Sequence, residues 1–271
     1  MEQVLINGER AEPGVPLRAL FYGEGLFETF RYKSRLPVFF EKHYERMERG
    51  AALLGIPLIG IAALTGLIDN ALSDSRLPDA YVKVCLLSGG GSNYYDYPAS
   101  GDIVIIIRDY RSKEEPVRAN ICSFKRHSES PIRRIKSLNY LENVVARREA
   151  NRTGYNESAI LNEKGQITEC TSSNIFWVRK DALYTPSLDC GLLAGVTREV
   201  MINSAPELGL TVEEGGYYPE DLAGSRFAFL TNSLSGSLPI SELGGLSLPI
   251  KDELYEGIKK LLHAKLGWNQ N

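Results

Sequence analysis

The sequence predicts an α/β chain of the α+β type, with a length that suits one large domain or two lobes. Three observations carry this reading. Short strand patterns alternate with helical ones over the first third, a polar stretch bearing a proline interrupts the chain at 109–118, and hairpin patterns bounded by turn residues follow it.

Val4 to Gly8 reads as a strand running into a turn, and Gly25 to Tyr32 as a core element that carries acidic and basic residues among apolar ones. Phe40, His43, Met47, Ala51 and Leu54 recur at helical spacing, and Gly55 with Pro57 ends that helix. A second helix is expected over 62–73, broken by Pro78. Tyr81 to Leu87 and Asp102 to Arg108 are strands around a Gly89-Gly90-Gly91-Ser92-Asn93 loop. Composition alone leaves 109–118 open between a linker and a long charged surface loop. Beyond it the pattern predicts a helix from Leu138, a hairpin from Glu157 to Val178 turning at Asn162-Glu163-Lys164-Gly165, a helix after Gly195, and strands near Tyr217 and over Phe227 to Leu230. No internal repeat or low-complexity segment is present.

Composition removes several function classes. The formal charge of −3 and the absence of a basic tract argue against nucleic acid or anionic membrane as main partner, leaving a small molecule. Cys85, Cys122, Cys170 and Cys190 lack CxxC spacing and the first residues lack a signal-peptide core, which reads as reduced thiols in a cytoplasmic protein. His43, His127 and His263 form no metal-like pair, so no metal is expected. Apolar runs such as 103–107 are too short to cross a bilayer and read as buried strands.

Lys136 is the most informative residue. Leu138, Leu141, Val144 and Val145 set a helix beginning just after it, with Ser137 or Asn139 as N-cap and Glu142 placed to close a capping box with Asn139. An ammonium at the positive end of a helix dipole and partly buried loses its proton more easily than a surface amine. An easily neutral lysine suits bonding to a carbonyl carbon. Taken alone, a lysine here is more often a solvated helix-start residue.

Six segments in order change that balance: 21–31 (FYGEGLFETFR), His43-Tyr44-Glu45-Arg46, Lys136-Ser137-Leu138-Asn139, Thr168 to Phe176, Gly195-Val196-Thr197-Arg198, and Leu230-Thr231-Asn232-Ser233. Together they resemble the fold-type IV pyridoxal-phosphate enzymes, which include branched-chain and D-amino-acid aminotransferases and 4-amino-4-deoxychorismate lyases. The resemblance spans nearly the whole chain. It implies a small N-terminal α/β lobe over 1–110, a linker at 111–118, and a larger cofactor-binding lobe over 119–271 with a pseudo-barrel of mixed sheets. It also implies pyridoxal phosphate as cofactor, amino acids and 2-oxo acids as substrates, and a homodimer with the active site at the subunit interface.

Residue by residue, the resemblance makes Lys136 the catalytic amine and Glu169 the carboxylate facing the pyridine nitrogen. Arg46 matches the phosphate cation, Gly195, Val196 and Thr197 the helix start that takes the phosphate, and Asn232 and Ser233 its second turn. Gly195, having no side chain, is expected to let an anion approach closely. Thr171 and Ser172 resemble residues packing against the cofactor ring, and Tyr140 one that hydrogen-bonds its phenolic oxygen. Tyr22, Phe27 and Arg31 are read on one strand, where Phe27 and Arg31 share a face as an aromatic wall and a carboxylate clamp. Core packing explains Phe27 equally well, and Arg133 with Arg134 offers a further clamp where surface charge is the commoner meaning.

Transamination is the reading chosen for the reaction. The chain lacks the Arg-x-His clamp of D-amino-acid aminotransferases, having Leu87 to Tyr94 there, and lacks a glutamate in Leu234-Ser235-Gly236-Ser237. Asn232-Ser233-Leu234, Glu169-Cys170 and Phe176-Trp177 look more like the lyase, whereas Arg31 and Tyr140 suit an aminotransferase. A binding protein that has lost catalysis is the third reading, which the presence of both Lys136 and Glu169 opposes.

Overall fold

The computed structural model describes residues 5–6, 9–10, 16–112 and 116–268, the first two pairs by their backbone. A short hairpin pairs β1 (Leu5–Ile6) with β2 (Glu9–Arg10), so the expected strand is present at 5–6, while Val4, Asn7 and Gly8 lie outside the described residues. Then follow α1 (Leu17–Tyr22), β3 (Gly25–Lys33), α2 (Phe40–Leu54), α3 (Ile61–Ser75), β4 (Asp79–Gly89) and β5 (Ser100–Asp109). The antiparallel sheet β3-β4-β5 has one face against α2 and α3. Leu26 and Phe30 from β3 and Val82, Val84 and Leu86 from β4 meet Met47, Ala51, Leu64, Ile68 and Leu72 from the helices.

The alternation of a pleated strand therefore turns Phe27, Thr29, Tyr81 and Lys83 to the opposite face. Helix α2 has the bounds its periodicity sets, because Gly55 takes the left-handed conformation at φ 68° and its N–H caps the Ala51 carbonyl. Tyr22, expected on a strand with Phe27, lies in α1 instead. Gly23 closes that short helix before β3 begins.

The second lobe contains β6 (Val117–Arg126), α4 (Leu141–Arg152), β7 (Glu157–Asn162), β8 (Ile167–Cys170), β9 (Asn174–Arg179), β10 (Ala182–Pro186), α5 (Val196–Ser204), β11 (Thr211–Gly215), β12 (Phe227–Asn232), β13 (Gly236–Leu243), β14 (Leu246–Ser247) and α6 (Glu253–Lys265). A nine-stranded mixed sheet runs β11-β10-β9-β12-β13-β6-β7-β8, with β14 paired to β13. Strands β9 and β12 are buried on both faces: Ile175, Trp177, Ala228 and Leu230 serve one core, and Phe176, Val178, Phe227 and Phe229 pack against α5 and α6. The two-lobed α+β expectation describes this molecule. The stretch at 111–118 partly joins β6 from Val117, and Lys113, Glu114 and Glu115 lie outside the described residues.

Several local expectations change. Helix α4 begins at Leu141 rather than Leu138, because residues 136–138 are drawn into a β-bridge with β3: Phe27 N–H donates to the Lys136 carbonyl and Leu138 N–H to the Gly25 carbonyl, both at 2.9 Å. The capping box is not made. Asn139 donates instead to the carbonyls of Tyr22 and Gly23, and Glu142 is taken by Arg126 and Arg133. The buried face of α4 is Asn143, Ala146 and Ala150, while Leu141 is 72% exposed. Tyr217 follows β11 rather than belonging to a strand. Helix α5 starts at Val196, directly after Gly195 as the sequence predicts. All four cysteines are unpaired and buried. Among the described residues no helix is long and apolar enough to cross a membrane.

A candidate active site between the lobes

A cavity of about 520 Å³ lies between the outer face of the β3-β4-β5 sheet and the second lobe. Its walls bring together Phe27, Arg46, Arg133, Lys136, Tyr140, Glu169, Thr171, Ser172, Gly195, Val196, Thr197, Asn232 and Ser233 from segments up to two hundred residues apart. Two expected residues are elsewhere. Tyr22 donates its hydroxyl to the Ser92 carbonyl, and Arg31 pairs with Asp79 while its guanidinium stacks over Tyr110 at 4.0 Å.

Lys136 is held by the bridge to β3, its Nζ 4.6 Å from the centre of the Phe27 ring. Burial, then the charge of Arg46, pushes its amine down to about 8. The nearby helix start therefore contributes less than sequence reasoning assigned to it, since α4 begins five residues after the lysine. Lys83, from β4, reaches the same ring from 4.3 Å and has no ion pair among the described residues. Tyr140 meets Phe27 edge to face at 5.3 Å.

Glu169 sits in β8 on the cavity wall, its side chain 12% exposed. Its carboxylate accepts from Arg126 Nη1 at 3.1 Å, the Leu193 N–H at 3.2 Å and Asn174 Nδ2 at 3.4 Å. Burial raises its pKa and Arg126 opposes that rise, so the group is a carboxylate with enhanced affinity for a proton. Asn174 also explains Gly195. A Cβ there would lie 2.1 Å from Asn174 Oδ1, so the glycine makes room for the side chain that braces Glu169.

Arg46 is anchored before it meets any ligand. Its Nε and Nη2 donate to Glu28 at 2.8 and 2.7 Å, and its Nη1 to the Ala194 carbonyl at 2.8 Å. Glu28 lies on the core face of β3 and also takes His43 Nδ1 at 2.6 Å. Burial pushes the Glu28 carboxyl up, but Arg46 and then His43 outweigh it and hold it at about 2. Burial pushes the His43 ring down, so it is neutral and its Nδ1 carries the proton it donates.

At the same end of the cavity, Thr197 Oγ1 and Ser233 Oγ lie 3.0 Å apart. The first helical bond of α5 is Glu199 N–H to the Gly195 carbonyl, which leaves the N–H groups of Val196 and Thr197 without helical partners. Thr231 Oγ1, buried on the cavity wall, has no partner among the described residues. Amide donors, hydroxyls and one guanidinium thus converge as a phosphate monoester requires. With the low-pKa amine and the Glu169 carboxylate, this donor set fits pyridoxal phosphate.

Sequence reasoning missed Glu28, Lys83, Arg126 and Asn174. The HxxR spacing put His43 and Arg46 on one face of α2, and a carboxylate among the apolar residues of β3 was the available sign of their partner. Asn174 lies within the 168–176 motif without a role assigned to it, and Lys83 and Arg126 carry no local signal.

The model of the amino-transferase class IV family matches residues 25–243. The aminodeoxychorismate lyase of Bacillus subtilis is 31% identical over 265 residues, covering 91% of this chain and 89% of that protein. A putative branched-chain-amino-acid aminotransferase of Methanocaldococcus jannaschii is 30% identical over 246 residues, covering 89% and 85%. The crystal structure of a putative 4-amino-4-deoxychorismate lyase from Legionella pneumophila superposes with a TM-score of 0.89 at 27% identity, covering 94% of this chain and 96% of that one. The chain belongs to the class IV aminotransferases, a family of pyridoxal-phosphate-dependent enzymes.

Proposed function

We propose that this chain binds pyridoxal phosphate through Lys136 and transfers an amino group between an amino acid, branched-chain or of D configuration, and a 2-oxo acid. The observation carrying this is the half-buried amine at about pKa 8, gathered with Phe27, Arg46 and Glu169 around one cavity. Bound there, the cofactor supplies an aldehyde for the amine and a ring that accepts the electron pair released when a substrate Cα–H bond breaks. Arg46, the start of α5, Thr197 and Ser233 would hold its phosphate, and Glu169 would keep its ring nitrogen protonated. Lys136 Nζ would be the base that takes the substrate Cα proton, and an amine pKa lowered to about 8 leaves enough of it neutral to do so.

Because Arg31 is paired with Asp79 outside the cavity, the substrate carboxylate falls to a cation on its wall, Lys83 or Arg133, of which Arg133 also pairs with Glu142. Phe27, Tyr81, Ile135 and Leu138 suit an aliphatic side chain. A cytoplasmic homodimer belongs to the same proposal, supported by the unpaired thiols and by the exposed cluster of Phe21, Tyr22, Tyr94 and Tyr95.

The lyase reading is favoured by two observations: the turn at 234–237 offers no carboxylate, and lyases stand among the relatives of this chain. Mixing cofactor-loaded protein with D- and L-amino acids and assaying pyridoxamine phosphate separates the two. Conversion by an aliphatic amino acid is expected. Pyruvate from aminodeoxychorismate with no conversion by any amino acid would establish the lyase instead. A visible band that survives Lys136→Ala would remove both.

A further inference from the structure

Arg147 on α4 and Glu157 on β7 lie behind the cavity wall and line none of it. Glu157 is 4% exposed, and its carboxylate accepts the Ser158 N–H at 2.9 Å, the Thr171 N–H at 3.1 Å, the Thr171 hydroxyl and Arg147 Nη2. Arg147 turns two donors onto that same hydroxyl, Nε at 3.0 Å and Nη2 at 2.6 Å. Thr171 Oγ1 thus accepts two hydrogen bonds and donates one, the full capacity of a hydroxyl. Its peptide carbonyl, on the cavity side, takes the Tyr140 hydroxyl at 2.5 Å and Asn143 Nδ2 at 2.7 Å.

We propose that Arg147 and Glu157 are positioning residues for the cofactor: by locking Thr171 they aim its carbonyl at Tyr140, so that the phenol spends its single proton on the protein and presents lone pairs to the cavity. This rests on the cofactor reading above. An exposed arginine–glutamate pair contributes little to a protein. Here the carboxylate is buried, and one threonine, which also holds the Tyr140 phenol, donates to Glu157 while accepting from Arg147. Without the lock, the Thr171 turn relaxes and the Tyr140 proton is free to swing toward an anionic cofactor oxygen. The electronics of the bound cofactor then depend on two residues that never touch it.

The test is a pH titration of the visible absorption band of pyridoxal-phosphate-loaded protein, read as its midpoint, in wild type, Arg147→Met, Tyr140→Phe and the double variant. The single variants are expected to move the midpoint the same way, each by about half a unit or more. The double variant should move no further than Tyr140→Phe alone, because both changes act through one hydroxyl. Arg147→Lys keeps a charge beside Glu157, should move the midpoint less, and replaces Arg147→Met in the cycle if that variant does not fold. An unchanged midpoint accompanied by a lower melting temperature would reduce Arg147 to a structural role, and shifts that add would break the link to Tyr140. Either overturns the proposal. Absence of a visible band from the loaded wild-type protein overturns the cofactor reading itself, and this proposal with it.

Discussion

Replacing Glu28 by Gln tests whether Arg46 is held by a buried ionic partner. The side chain keeps its size but loses its charge and one of two acceptor oxygens, while Arg46 stays only 6% exposed with the Ala194 carbonyl as its remaining full partner. Removing one member of a buried pair costs about 3–5 kcal/mol. A second route agrees: holding the carboxyl at about 2 rather than 4.5 corresponds to about 3 kcal/mol, at about 1.4 kcal/mol per tenfold.

The sign is that of a depressed acid. Stability from Glu28 is complete above pH 4.5 and is lost as pH falls toward 2, so the gap between wild type and variant should be widest at neutral pH and narrow in acid. Equilibrium urea unfolding of the cofactor-free proteins at several pH values measures it, and weaker binding of pyridoxal phosphate should accompany it. A cost below about 1 kcal/mol at pH 7, or a gap that stays constant into acid, would refute the reasoning.

Three further outcomes are expected. Gly195→Ala places a Cβ 2.1 Å from Asn174 Oδ1, so it should cost about 1–3 kcal/mol and loosen the brace on Glu169, seen in thermal unfolding and cofactor affinity; an unchanged melting temperature would contradict the packing argument. The rate of cofactor loading should rise with pH and level off above about 8, the pKa of the Lys136 amine, whereas a rate still climbing at pH 10 would mean an ordinary lysine. Arg31→Ala should lower stability by about 1 kcal/mol through loss of Asp79 and Tyr110, and leave KM within about threefold; a large rise in KM with unchanged stability would return Arg31 to the substrate.

Elements bounded by their own chemistry were legible in the sequence. Helix α2 follows from the spacing of Phe40 to Leu54 and a left-handed glycine, and the turn at 162–165 from Asn162 Oδ1 taking the N–H groups of Lys164 and Gln166, with Gly165 at φ 83°. Strands β4 and β5 are likewise marked by their apolar residues, but β5 is not the buried strand its run at 103–107 suggests: as an edge strand it leaves Val104 and Ile106 40% and 45% exposed. Most of the cavity wall was legible too, because those residues fall in ordered motifs rather than single positions.

Only the tertiary structure decided the partners of each charge. Leu138 reads as helical until β3 pairs with 136–138 and pulls it into a bridge, since two long-range hydrogen bonds outweigh local propensity. Arg31 reads as a substrate clamp until the register of β3 with β4 brings Asp79 within reach. Lys83, Arg126, Arg147 and Glu157 look like surface charges in one dimension. Whether a charge is solvated, paired or turned into a cavity depends on which strand becomes its neighbour, and that is a property of long-range contacts that spacing along the chain does not encode.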